Sequence, residues 1–123
     1  MTRDQERATS AHTRVKKFGE DNPNKPERDK YGSMAHKLPV LIRSSGLAQA
    51  LVFVEARGKP QHRELLEHIA ATAKYTNTEK LLEQSRTTDL LAYMHLTREV
   101  LAICLWYKRF SQSLLDADGT GEG

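Results

Sequence analysis

The chain is short of the residues from which reactive sites are usually built. It holds a single cysteine, Cys104, so no internal disulfide can form and a reducing compartment suits it. No apolar run approaches the ~20 residues that a membrane-crossing helix needs. The opening stretch MTRDQERATS carries charges with no hydrophobic segment behind them, which does not read as a secretory signal. Gly-rich phosphate loops, GxSxG, HExxH and paired metal-binding cysteines are all missing. His62 and His68 are six positions apart, which does not place them at ligand spacing on one helical face. Apolar runs that could be strands have no partner strand. The expectation is therefore a soluble, cytoplasmic, helical protein with no cofactor, no metal and no catalytic group.

Helical periodicity is what the chain has in abundance. From Asp89 to Leu115, steps of three and four give Tyr93, Leu96, Val100, Ile103, Tyr107, Phe110 and Leu114, one continuous apolar seam. A second stripe, Leu90, Met94, Leu101, Cys104, Leu105 and Leu115, lies more than a quarter-turn away. A helix apolar on two sides calls for cover on two sides, so this segment is predicted to be the central rod. His95, Arg98, Glu99, Arg109 and Ser113 share the remaining face with Trp106, an odd aromatic among polar neighbours.

Ahead of the rod, Thr2 and Gln5 fit a capping box, and Ala8, Ala11, Val15 and Phe18 share a face that Gly19 would end. Pro26 can open the next helix, with Glu27 and Asp29 favourable to its dipole. Spacing from Tyr31 to Ile42 runs through Pro39, which predicts a kink rather than a stop. A serine of Ser44-Ser45-Gly46 is expected to cap the following helix, whose apolar side (Leu47, Ala50, Leu51, Val54) is widened by Val52 and Phe53. Gly58-Lys59-Pro60 separates that helix from a fourth, containing Leu65, Leu66, Ile69, Ala70 and Ala73. Thr76 and Glu79 look like a second capping box, opening a short helix through Leu81 and Leu82. The reading is an all-α, single-domain bundle of about six helices over residues 1–123, around a long C-terminal helix at about 88–115. Residues 1–2 and 117–123 are expected to fray.

Charge is unevenly spread. The total is +3, yet residues 1–45 hold ten Lys/Arg against six Asp/Glu, whereas residues 46–123 hold nine against ten. A basic half suggests a polyanionic partner, and a solvated surface would look the same. Three groups emerge. Arg3, Arg7, Arg14 and Lys17, with Lys16 adjacent, edge the first helix and can track phosphates or merely solubilise. Lys30, Lys37 and Arg43 lie along or at the end of the second helix, where Arg43 reaches a phosphate or caps the helix C-terminus. Trp106 with Arg98 and Arg109 can stack on a base or anchor a protein, or the indole lies beneath the N-terminal helix.

The stretch from Tyr31 to Phe53, YGSMAHKLPVLIRSSGLAQALVF, fits the pattern YGxxAxxLPxLIxxxGLxQALxF. It resembles the small all-helical subunit of the Cmr complex, the type III-B CRISPR RNA-guided effector. Tyr107-Lys108-Arg109-Phe110 matches a second, shorter segment of that family, and residues 59–88 carry no usable signature. The resemblance implies a non-catalytic role in antiviral defence: several copies stacked as a minor filament, beside a backbone subunit that holds guide RNA, help form the guide/target channel. It implies that Lys37, Arg43, Lys108 and Arg109, which sit inside the motifs, face RNA or a neighbouring subunit. Arg14, Lys16 and Lys17 join the RNA- or subunit-binding set on charge alone, and Trp106 on its place on a polar helical face. Gly32 and Gly46 are expected to serve close packing and a helix boundary. Modest net charge predicts weak, salt-sensitive RNA contact by the isolated protein, which is expected to be monomeric or weakly associating. The competing reading is a helical DNA-binding regulator with a helix-turn-helix at the start of the rod.

Overall fold

The structure, a computed structural model, describes residues 1–117. Six helices follow one another with short joints: α1 (Arg3–Asp21), α2 (Lys25–Ser45), α3 (Leu47–Arg57), α4 (Pro60–Thr72), α5 (Thr78–Thr87) and α6 (Leu90–Leu115). No strand occurs among the described residues, and none of their helices is long and apolar enough to cross a membrane. The all-α reading stands.

Local signals explain most of the boundaries. The Thr2 hydroxyl accepts from Gln5 N at 3.1 Å while the Gln5 side chain accepts from Thr2 N at 2.8 Å, closing the box that starts α1. Pro26 sits in the first turn of α2, and the helix continues through a buried Pro39. Gly58, at φ 70°, ends α3 in the left-handed conformation that costs glycine least, and Pro60 opens α4. Asp89 Oδ1 accepts from Ala92 N at 3.0 Å and starts α6.

Five local expectations are corrected. Gly19 does not stop α1, which runs on to Asp21; a Cβ at Gly19 would stand 2.8 Å from Leu115 Cδ2, so its smallness serves packing against the end of α6. No serine caps α3. Gly46 takes that place, and the Tyr93 hydroxyl of α6 accepts from Ala48 N at 3.0 Å, a tertiary substitute for a side-chain cap. Asn77, not Thr76, starts α5, its Oδ1 accepting from Lys80 N at 2.9 Å. Val52 and Phe53 face outward instead of widening the buried side of α3. Ala117, assigned to the fraying tail, is buried where a Cβ on Gly32 would collide with it, and residues 118–123 lie outside the described residues.

The core gathers Phe18, Tyr31, Met34, Leu38, Leu51, Leu65, Ile69, Leu81, Ile103 and Tyr107 from all six helices. The long helix α6 packs chiefly on α1 and α2 and more lightly on α4. It buries Leu96, Val100, Ile103, Cys104, Tyr107, Ser111 and Leu115. Its second stripe is enclosed only in part: Cys104 and Leu115 are buried, whereas Leu90, Met94 and Leu105 are 75%, 44% and 42% exposed. The reason is topological. α3 packs on α2, α4 and α5, and α5 on α3 and α4, leaving one flank of the rod's first turns bare.

Candidate functional site

The three groups of cations meet different fates. At the α1–α6 contact, Glu99 grips two of them: Arg7 donates from Nε at 3.0 Å and Nη2 at 2.6 Å, and Arg3 donates from Nε at 3.0 Å. Arg7 also reaches Asp4 at 3.2 Å. The two arginines hold the Glu99 carboxyl below its ordinary range, Arg7 first, while Glu99 raises Arg7. This cluster clamps α1 to α6 and leaves little charge for a ligand. Glu99→Ala is expected to lower unfolding free energy by about 1–2 kcal/mol, because the half-buried Arg7 loses its main acceptor. Urea denaturation reads this; an unchanged midpoint would mean the clamp contributes nothing.

Trp106 belongs to the same contact. Its Nε1 donates to Asp4 Oδ1 at 3.1 Å, and its ring stacks on Phe110 with centroids 5.6 Å apart. Arg109 places its guanidinium 5.5 Å from the indole centroid. The indole is thus half-buried against the N-terminal helix, with an exposed Arg109 over it. Lys108 follows half-buried, and Arg98 is exposed.

Further along α1, Arg14 is half-buried and bonded inward. Its Nη1 donates to Ser10 Oγ at 2.8 Å, Ser10 Oγ meets Thr72 Oγ1 at 2.8 Å, and Thr72 Oγ1 meets the Tyr107 hydroxyl at 2.7 Å. Tyr107 also donates to His68 O at 3.1 Å, and the Tyr31 hydroxyl lies 2.7 Å from His68 Nδ1. Four helices, α1, α2, α4 and α6, are pinned by this polar chain. Burial, then the positive charge of Arg14, lowers His68 to about 4, so its imidazole is neutral at pH 7. Lys17 pairs with Asp21 at 3.1 Å, whereas exposed Lys16 makes no ion pair among the described residues.

The second-helix group is different. Lys37 is exposed and makes no ion pair among the described residues, and the same holds for Arg43 in the last turn of α2. Lys37 lines a groove of about 360 Å³ between α2 and α3 with Met34, Val40, Leu41, Phe53 and Arg57. Arg57 packs its guanidinium 5.6 Å from the Phe53 centroid. Behind them His62 is fully buried, and burial followed by the charges of Arg57, Lys59 and Lys37 lowers it to about 4. Arg57 and Lys59 were missed by the sequence reading. The signal was there in Arg57-Gly-Lys59, two cations across a helix-ending glycine, but it was used only as a boundary.

Nothing among the described residues gathers three His, Cys, Asp or Glu side chains into a metal-holding group. Cys104 is buried in the rod and raised to about 12 by that burial. The helix-turn-helix reading gains no support: the first turns of α6 expose Leu90, Leu91 and Met94, which cannot read base edges by hydrogen bonding.

Residues 3–114 match the family described as CRISPR-associated protein (Cas_Cmr5). The chain belongs to this family. Within it, the "CRISPR system Cmr subunit Cmr5" of Thermus thermophilus is 43% identical over 115 residues, covering 94% of this chain and 97% of that protein. The fold agrees as well. A crystal structure of a CRISPR-associated Cmr5 family protein, also from Thermus thermophilus, superposes with a TM-score of 0.87 at 43% identity, over 93% of this chain and 97% of that one. The resemblance drawn from residues 31–53 therefore extends over residues 3–114 of the chain. It includes residues 59–88, where no motif was legible.

Proposed function

We propose that this Cmr5 family chain is a non-catalytic, cytoplasmic subunit of a type III-B Cmr effector complex in antiviral defence. Copies of it stack as a minor filament beside the backbone subunit and help line the channel where target RNA pairs with guide RNA. One observation carries the reading: the family match over residues 3–114, with a relative of nearly equal length that bears the Cmr subunit name. The distribution of charge supports it. Of the proposed RNA- or subunit-facing cations, only Lys17 is held by an internal carboxylate among the described residues, and Lys16, Lys37, Arg43 and Lys108 have no side-chain partner there. Arg109 over Trp106 adds a cationic, aromatic edge. Arg14 and Lys17 contribute less, having partners within α1.

A net charge of +3 is too small for a lone copy to hold a polyanion tightly. The isolated protein, monomeric or weakly associating, is expected to bind single-stranded RNA weakly and with strong salt dependence. Lined-up copies gain by effective concentration. Nanomolar binding by the isolated chain in physiological salt would overturn this mechanism. The decisive test is co-purification from the native host, where other Cmr subunits and RNA should accompany the chain. Recovery of a free monomer alone would reject the assembly.

A further inference from the structure

We propose that the bare face of α6 docks an acidic amphipathic helix of a partner protein, its aliphatic side on Leu90, Met94 and Leu105 and its flanking carboxylates on Arg98 and Lys108. This names a partner chemistry for the assembly reading and rests on it for the partner's existence. α6 meets α1 through Glu99, Trp106 and Phe110, and α2 through Ser111, whose Cβ would stand 3.5 Å from a Cβ on Gly32. At about 100° per residue, positions within about 60° of Met94 face neither helix. That arc presents Leu90, Leu91, Met94 and Leu105, all exposed, with Leu101 half-buried among them. From Leu90 to Leu105 it runs about 22 Å at 1.5 Å per residue. Aliphatic side chains repeating along such a strip suit the i, i+3, i+4, i+7 side of a second helix.

Charge decides which helix. Between Leu90 and Leu115 the only carboxylate is Glu99, and Arg3 and Arg7 occupy it. Asp89, ahead of them, accepts from Ala92 N. Arg98 and Lys108 lie on the arc itself, and neither makes an ion pair among the described residues. Arg43 adds an exposed cation along the α2 edge, about three turns beyond Gly32 and back on the face that meets α6. A positive rim around an apolar strip selects negative flanks and repels positive ones. A second copy of the chain would set this rim against itself. A lipid surface fits less well too. Arg98 stands mid-strip, between Met94 and Leu105, where insertion would carry a guanidinium below the headgroups; a protein helix can meet it with a carboxylate. Single-stranded RNA needs open aromatic faces, and the Trp106 ring at the edge of the arc lies between Phe110 and Arg109.

The test is fluorescence anisotropy on the full chain with two labelled probes: a synthetic helix with leucines at i, i+3, i+4 and i+7 and glutamates on both flanks, and the same helix with lysines for the glutamates. The glutamate helix should bind saturably. Arg98→Glu with Lys108→Glu should weaken it by at least about tenfold and let the lysine helix bind instead. Met94→Asp with Leu105→Asp should weaken both helices, and the milder Met94→Ala with Leu105→Ala should weaken the glutamate helix by at least about threefold. Circular dichroism melting confirms the fold of each variant. Lys80→Glu, at an exposed position on α5, should change nothing. Equal binding of the two helices, indifference to the charge reversals, or an equal loss in Lys80→Glu would overturn the proposal. So would displacement of the glutamate helix by oligouridine or by phosphatidylserine vesicles, or self-association of the chain that excludes it. The titration needs no other subunit, so it can fail while co-purification succeeds, and the reverse.

Discussion

Phe18→Ala is expected to remove about 3–5 kcal/mol of stability, a large share of the 5–15 kcal/mol typical of a domain. Phe18 is 1% exposed and is the largest side chain α1 buries; the others on its stripe are Ala11 and Val15. Its ring stacks on Tyr31 with centroids 4.2 Å apart and planes at 26°. Truncation would empty the space between α1 and α2, and fully buried Tyr31 cannot move far because its hydroxyl is tied to His68. Tyr31→Phe keeps the packing and leaves His68 Nδ1 without that partner, so it should cost only about 1–2 kcal/mol. Urea unfolding separates the two, and hydrogen exchange should show α1 losing protection first in the alanine variant. A loss below about 1 kcal/mol for Phe18→Ala would mean α1 is not part of the cooperative core.

Mild acid should destabilise the protein well before its carboxylates titrate. His62 and His68 are both lowered from 6.5 to about 4 in the folded chain. In the unfolded chain they take up protons as pH falls through 6.5, while the folded chain does not until about 4. The unfolded state thus binds more protons in this window, and stability must fall as pH drops. Together the two cost on the order of 2–3 kcal/mol at pH 5 relative to pH 7, with the share of His62 reduced because the exposed Arg57 and Lys37 that help depress it are screened by solvent. Below that, Glu99 adds to the loss because its folded value is depressed, whereas Glu64, raised by burial, opposes it. Urea midpoints at pH 7 and pH 5 measure the effect. His68→Gln should lower stability at pH 7 and flatten its pH dependence; identical midpoints for the parent at both pH values would refute the account.

Periodic apolar spacing was enough to find every helix, because burial repeats every turn whatever the partner. Partner choice was another matter. The second stripe of α6 reads as buried throughout, yet Leu90 and Met94 are exposed because which helices flank the rod depends on contacts far apart in sequence. Gly19 read as a stop signal when its role is to admit Leu115, ninety-six positions away. The Tyr93 cap on α3 had no local trace at all. At the candidate surfaces, sequence located the cations but not their counterions. Arg3 and Arg7 looked available until Glu99 came against them, while Arg57 joined Lys37 at one groove only once α3 packed on α2.

The clamp between α1 and α6 also sets an order of events during translation. The stripe of Ala11, Val15 and Phe18 is made first, but the helix that covers much of it ends at Leu115. At ribosomal speeds the wait is on the order of ten seconds. Until then the nascent first helix has only α2 and α4 to lean on, and Arg3 and Arg7 have no Glu99. The early half of the polypeptide therefore leaves the exit tunnel more positive and greasier than it will ever be again, a transient target for holdase chaperones.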